Sequence, residues 1–96
     1  MEFEWDENKR KSNRKKHEMD FLRASKVFKD ENRVERIDDR KNYGEVRIQA
    51  IGRINKFMAW GGTIIFVVYT VRNNNIRIIS ARKANKGEKG VYHGNS

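Results

Sequence analysis

The spacing of hydrophobic positions changes several times along the chain, and each change marks an element. Glu2 and Glu4 flank Phe3, which alternates with Trp5 in a short extended start. From Asp6 to Glu18 there is then no apolar residue at all. Asp6 is suited to accept hydrogen bonds from the free N–H groups of a first helical turn, Glu7 adds charge of the right sign there, and lysines and arginines crowd the other end. The spacing therefore predicts a helix over 7–17, with Lys9, Asn13, Lys16 and His17 on one face. Its buried side must come from aliphatic Lys and Arg stems, with Asn13 and His17 as the groups best suited to be tucked in and hydrogen-bonded.

"DFLRASKVFKDE" follows with ordinary amphipathic spacing: Asp20 caps it, and Phe21, Ala24, Val27 and Phe28 form its apolar stripe. "NRVERIDDRKNYG" is polar and turn-rich, with Val34 and Ile37 enough for a weak or edge strand. "EVRIQAIGR" alternates, placing Val46, Ile48 and Ala50 on one face and Arg47, Gln49, Ile51 and Arg53 on the other. "TIIFVVYTV" is continuously β-branched and aromatic, as a central strand covered on both faces requires. "RNNN" is a turn, and "IRIIS" a further strand with Ile76 and Ile78 inward and Arg77 opposite. The long connection "INKFMAWGG" exposes Phe57 and Trp60. A last helix can begin over 81–86, but Gly87 and Gly90 each cost it about 1 kcal/mol relative to Ala. The order predicts a single α+β domain over 1–96: two N-terminal helices packed on one face of one antiparallel sheet, then a short C-terminal helix.

Composition narrows the function. Apolar and charged residues each make up 36% of the chain, so the core is small. There is no cysteine, which excludes a disulfide framework and a thiolate zinc site, and two histidines leave any metal site to carboxylates. No metal or cofactor is expected. The acidic start does not read as a signal peptide, and the longest apolar run, "IIFVV", is far short of the ~20 residues of a membrane span. A soluble, cytoplasmic protein is the expectation. The net charge of +9 is unevenly spread: residues 1–48 hold 14 Lys and Arg against 12 Asp and Glu, and residues 49–96 hold 8 against 1. A field of that sign attracts phosphate backbones or acidic proteins without saying which.

Several side chains carry two readings. Arg47, Gln49, Arg53 and Arg77 share one sheet side, with Arg72 and Arg82 at strand ends nearby. They form either a solvated face or an anion site, and the cost of crowding like charges favours the anion. Glu45 is a salt-bridge partner of Arg47 or a general base. His17 is a satisfied structural histidine or a catalyst. Tyr69 stacks on a base or fills the core.

"FEWDENKRKSNRKKHEMDFLRASKVFKD", "GEVRIQAIG" and "VVYTVRNNNIRIISARKANKGEKGVY" resemble, in that order, three motifs of the BrnT family of bacterial ribonuclease toxins, relatives of the RelE superfamily. The resemblance spans residues 3–92. It implies a RelE-like fold and a metal-independent endoribonuclease that inhibits translation. It also implies a cognate antitoxin (BrnA-like) with a ribbon-helix-helix domain, which neutralises the toxin and through which alone promoter DNA is met. The family's polar motif positions fall on Lys9, Asn13, Lys16, His17, Glu45, Arg47, Tyr69, Arg72, Arg77, Arg82, Glu88 and Tyr92. This chain departs from the pattern in its long connection through Phe57 and Trp60, in Glu18 where the family usually has Gly, in lacking Pro after "VFKD", and in Gly87 and Gly90.

RNA supplies its own nucleophile, the 2′-hydroxyl, so such an enzyme needs a base, cations for the pentavalent phosphate and an acid for the 5′-oxygen. On this reading Arg47, Arg72 and Arg77 hold the phosphate, Glu45 is the base, and His17 or Lys16 the acid. Lys9, Asn13, Lys16, Arg53, Tyr69 and Arg82 are the expected RNA contacts. Two alternatives stand beside it: a basic module that binds DNA or the ribosome without catalysis, and an interaction protein for an acidic partner, with Phe57 and Trp60 in its interface.

Overall fold

The computed structural model describes residues 2–94. Its elements are β1 (Phe3–Glu4), α1 (Glu7–His17), α2 (Phe21–Ala24) continued by a 3-10 turn (Ser25–Lys29), β2 (Val34–Ile37), β3 (Ile48–Ile54), β4 (Thr63–Arg72), β5 (Asn75–Lys83) and α3 (Lys86–Gly94). One five-stranded sheet has the order β1-β5-β4-β3-β2. It is α+β as expected, but mixed rather than antiparallel, because β1 pairs in parallel with β5 through Phe3–Ile76 and Glu4–Arg77. Two residues are enough to close part of an otherwise open edge, and the Ile76 N–H donates to the Glu2 carbonyl at 2.8 Å.

The rest of the β5 edge is covered by α1, which explains that helix's polarity. Asp6 caps it, accepting from the N–H groups of Asn8 at 2.8 Å and Lys9 at 3.1 Å. Asn13 is its buried residue. The Asn13 amide donates to the carbonyls of Ala81 at 2.8 Å and Met19 at 2.9 Å and accepts from the Ala81 N–H at 3.2 Å, as a neighbouring strand would. Because α1 meets a sheet edge rather than the core, it needs no apolar stripe.

The second predicted helix holds only for Phe21–Ala24 before tightening into the 3-10 turn. Asp20 stands at the N-cap position without capping through its side chain, and its carboxylate accepts instead from Arg10 at 2.7 Å. The tightening brings Asp30 against β3, where it accepts from the Arg53 N–H and the Tyr92 hydroxyl, both at 2.7 Å. Gly52 permits this approach, since a Cβ there would lie 2.7 Å from Val27 Cγ2.

The core has two sides. Met19, Phe21, Ala24 and Val27 pack on one sheet face with Ala50, Ile65, Val67 and Ile78. Ile51, Ile64, Phe66 and Val68 pack on the other with Ala84 and Tyr92. The helices are thus not all on one face: α2 lies on the first and α3 on the second, while α1 runs along the β5 edge. Ala81 to Lys83 continue β5 instead of opening a helix, so the chain turns later and crosses over. Asn85 and Glu88 then start α3 by a reciprocal cap, each backbone N–H bonding the other's side chain at 2.9 and 2.8 Å, which offsets the cost of the glycines. Asn73 and Asn74, with φ of 51° and 64°, form the β4–β5 turn. Phe57 and Trp60 are 93% and 65% exposed. Among the described residues no helix is long and apolar enough to cross a membrane.

Candidate active site

The α3 helix covers only part of the second sheet face, and the remainder carries arginines. Arg77 lies opposite Thr70 and Arg82 opposite Phe66. Five residues apart on a regular strand, the two would point to opposite faces. An irregularity facing Val68 and Tyr69, where Ile79 is the extra residue of β5, resets the alternation and puts both on the same face. No sequence signal marks that bulge.

Glu45 and two arginines close one end of the face. The Glu45 carboxylate accepts from Arg47 at 3.1 Å and from Arg72 at 2.8 Å, while Arg77 pairs with Glu4 at 3.0 Å. Hydrogen bonds from Arg72, then Arg47, hold the Glu45 carboxyl below the usual carboxylate range. It is thereby a weak proton acceptor and a strong brace.

Toward the middle of the face, two further arginines join that the sequence reading passed over. Arg36 donates to Gln49 at 2.6 Å. Arg40 makes two 2.8 Å bonds to the buried Asp38, whose carboxyl this pairing pushes well below its ordinary value. Arg82 is held by Glu88 through bonds of 2.7 and 2.8 Å, and its guanidinium lies 4.3 Å from the Phe66 ring centre, with Arg40 at 5.8 Å from the same ring. Arg36, Asp38 and Arg40 alternate along the chain, the one pattern by which they could have been found. Each guanidinium has five N–H donors and spends two or fewer on its carboxylate or amide partner, so donors remain for a ligand.

Beyond Arg82 the face meets the C-terminal end of α1. A cleft of about 400 Å³ is lined by Lys15, Lys16, His17, Glu18, Arg82 and Lys83. A second, of about 280 Å³, is lined by Lys9, Ser12, Asn13, Lys16, His17, Ile79 and Ser80. Lys16 and His17 belong to both. Burial first, then the charges of Lys16 and Arg82, lower the His17 pKa from its ordinary value, so its imidazole is mostly neutral at pH 7.

The structure thus brings Lys9, Lys16, His17 and Arg82 together at one end of the face and Glu45, Arg47, Arg72 and Arg77 at the other. Three predicted residues stand elsewhere. Asn13 has its amide committed to backbone. Tyr69 is buried on the opposite face, its ring edge-on to Phe28 and its hydroxyl 2.6 Å from Glu35. Arg53 shares the arginine side but sits beside α3, bonded to the Gly61 carbonyl at 2.7 Å with its guanidinium 5.7 Å from the Tyr92 ring centre. Among the described residues no three His, Cys, Asp or Glu side chains are grouped to hold a metal ion.

A braced cationic sheet face beside a neutral histidine defines a small basic α+β protein suited to a phosphate-bearing ligand. The family model for BrnT, the ribonuclease toxin of type II toxin–antitoxin systems, matches residues 5–88, and the chain belongs to that family. Membership implies a protein antitoxin as partner. No curated protein matches the chain.

Proposed function

We propose that this protein cleaves RNA without a metal, using the arginine face as a phosphate track and the α1–β5 clefts as the reaction centre. The observation that carries the reading is the cleft at the end of that track in which His17, Lys16 and Arg82 meet, where burial and the neighbouring cations lower the His17 pKa. His17 takes the proton from the 2′-hydroxyl. The 2′-oxygen bonds to phosphorus, the bond from phosphorus to the 5′-oxygen breaks, and Lys16 supplies the proton that the leaving 5′-oxygen needs. The products are a 2′,3′-cyclic phosphate and a 5′-hydroxyl. Arg82 and Arg40 stabilise the charge that grows on the non-bridging oxygens, while Arg47, Arg72 and Arg77 hold flanking phosphates. Glu45 moves from base to brace in this scheme. Lys9 lines the approach to His17.

Family membership supports the wider setting: RNA cleavage in the cytoplasm lowers translation, and an antitoxin with a ribbon-helix-helix domain neutralises the toxin and carries the complex to promoter DNA. The test is degradation of a labelled RNA by the purified chain in excess EDTA, with His17→Gln and Arg40→Ala prepared in parallel. Cleavage by the parent, lost in His17→Gln by ~100-fold or more, is expected of a general base. Intact RNA bound with a steep salt dependence would overturn the reading in favour of a non-catalytic nucleic-acid binder.

A further inference from the structure

The turn end of the sheet, where β4 passes into β5, is left open on both faces. One face presents Arg47, Arg72 and Arg77. The other, on which α2 packs, presents carbon. Phe3 pairs with Ile76, and Ile76 with Val71, so all three lie on the helical side, where the Phe3 ring stacks 5.5 Å from Phe28. Yet Phe3 is 42% exposed, Val71 49% and neighbouring Leu22 60%. Large apolar side chains clustered at one end of a sheet and left in water are not a usual monomer surface.

We propose that this cluster is the anchoring surface for the antitoxin, and that the segment seated on it is an amphipathic helix with an acidic rim. This rests on the reading of the chain as a neutralised toxin. The length fits a short helix. From Phe3 on β1 to Val71 on β4 the cluster crosses two strand spacings of about 4.8 Å, or roughly 10 Å, which about two turns of helix span at 1.5 Å per residue. The charge fits as well. Phe3, Leu22 and Phe28 line a groove of about 430 Å³ whose charged members are Lys26 and Lys29, and no carboxylate lines it. An acidic flank on the incoming helix meets those two lysines while its apolar face covers Phe3, Leu22 and Val71.

The anchor lies on the opposite side of the sheet from the arginines. Holding the antitoxin and gripping RNA are therefore separable by mutation, which shared use of one basic surface would not allow. Calorimetric titration of the purified full-length chain with its cognate antitoxin tests this, using Val71→Glu, Leu22→Glu and a Phe57→Ser control, each checked for folding by circular dichroism, with RNA cleavage followed in parallel. Two anchor variants guard against one failing to fold. Expected is a Kd raised by about 30-fold or more in Val71→Glu and Leu22→Glu, no change in Phe57→Ser, and parental cleavage in all three. Antitoxin affinity unchanged in both anchor variants, or lost in Phe57→Ser instead, would overturn the proposal. So would self-association of the isolated chain that Val71→Glu abolishes, since a second copy would then be the occupant. Failure of the ribonuclease reading shows separately, as absent cleavage by the parent chain while the binding results stand.

Discussion

Replacing Asn13 by Ala separates architecture from chemistry. The amide makes three hydrogen bonds in a buried setting, to Met19 and to both backbone groups of Ala81, a fully buried residue. At about 1 kcal/mol net per bond, and more where a buried backbone group is left unpaired, the loss is about 3 kcal/mol. A domain of this size unfolds with an entropy near 0.2 kcal/mol/K, so the melting temperature falls by about 10–15 °C. In urea the midpoint shifts by ~2 M at unchanged slope, since the surface exposed on unfolding is the same. Asn13→Asp falls further at neutral pH, because a carboxylate oxygen then faces two carbonyls that need a donor. Chemical denaturation followed by circular dichroism measures both, and RNA cleavage is assayed at a temperature where each variant is folded. Unfolding of Asn13→Ala within about 0.5 kcal/mol of the parent, with cleavage abolished, would refute the structural assignment and return Asn13 to the reaction.

With His17 as the base, cleavage rises with pH through a value below that of free histidine. Lys16→Ala loses the acid and with it ~100-fold or more of the rate, and because a neighbouring cation is gone the rise of the residual cleavage shifts to higher pH in a pH–rate profile. Glu45→Gln keeps an acceptor between Arg47 and Arg72, so cleavage stays within about tenfold of the parent, whereas loss of a general base costs ~100-fold or more. Glu18 ends α1 at φ 55°, a left-handed position that glycine occupies without strain, so Glu18→Gly stabilises by about 1 kcal/mol in the same denaturation assay. Asp20, Asp38 and Glu88 have depressed carboxyl pKa values in the folded chain. Their contribution to stability is complete above the unfolded-state values and is lost as pH falls from about 4 through the depressed ones, which acid titration of the melting temperature follows.

How far the sequence was legible depended on whether an element is specified locally. The ends of α1 follow from Asp6 and a run of charges, and β4 from nine residues of continuous β-branched and aromatic character, so both were readable. The choice of Asn13 as a tucked-in polar group also came through, because a helix without apolar residues must bury something else. What stayed hidden was set by distant contacts. The parallel pairing of β1 depends on the free edge of β5, and the 3-10 turn depends on Asp30 reaching Arg53 and Tyr92. The side taken by α3 depends on where β5 stops. The candidate site suffered most, because a single extra residue at Ile79 decides whether Arg77 and Arg82 share a face. Tyr69 shows the converse, since strand alternation alone already allowed it a place in the core.

The acids on the arginine face pose an energetic question of their own, because every carboxylate there subtracts from the field that attracts RNA. The part-exposed pairs of Glu45 and Glu4 add little to stability, about 0–1 kcal/mol each, so stability is a poor reason for those two. Orientation is a better one. An unpaired arginine samples many rotamers, and fixing it on a ligand costs about 0.5–1.5 kcal/mol. Glu45 holds two guanidiniums, and Glu4, Asp38 and Glu88 hold one each, at distances of 2.7 to 3.1 Å. Five side chains fixed in advance at that cost amount to a few kcal/mol not spent when the phosphate arrives, comparable to the gain from adding a further unbraced cation. The cost also falls at the right moment, since the braces order the face during folding and leave the remaining N–H donors aimed at whatever crosses it.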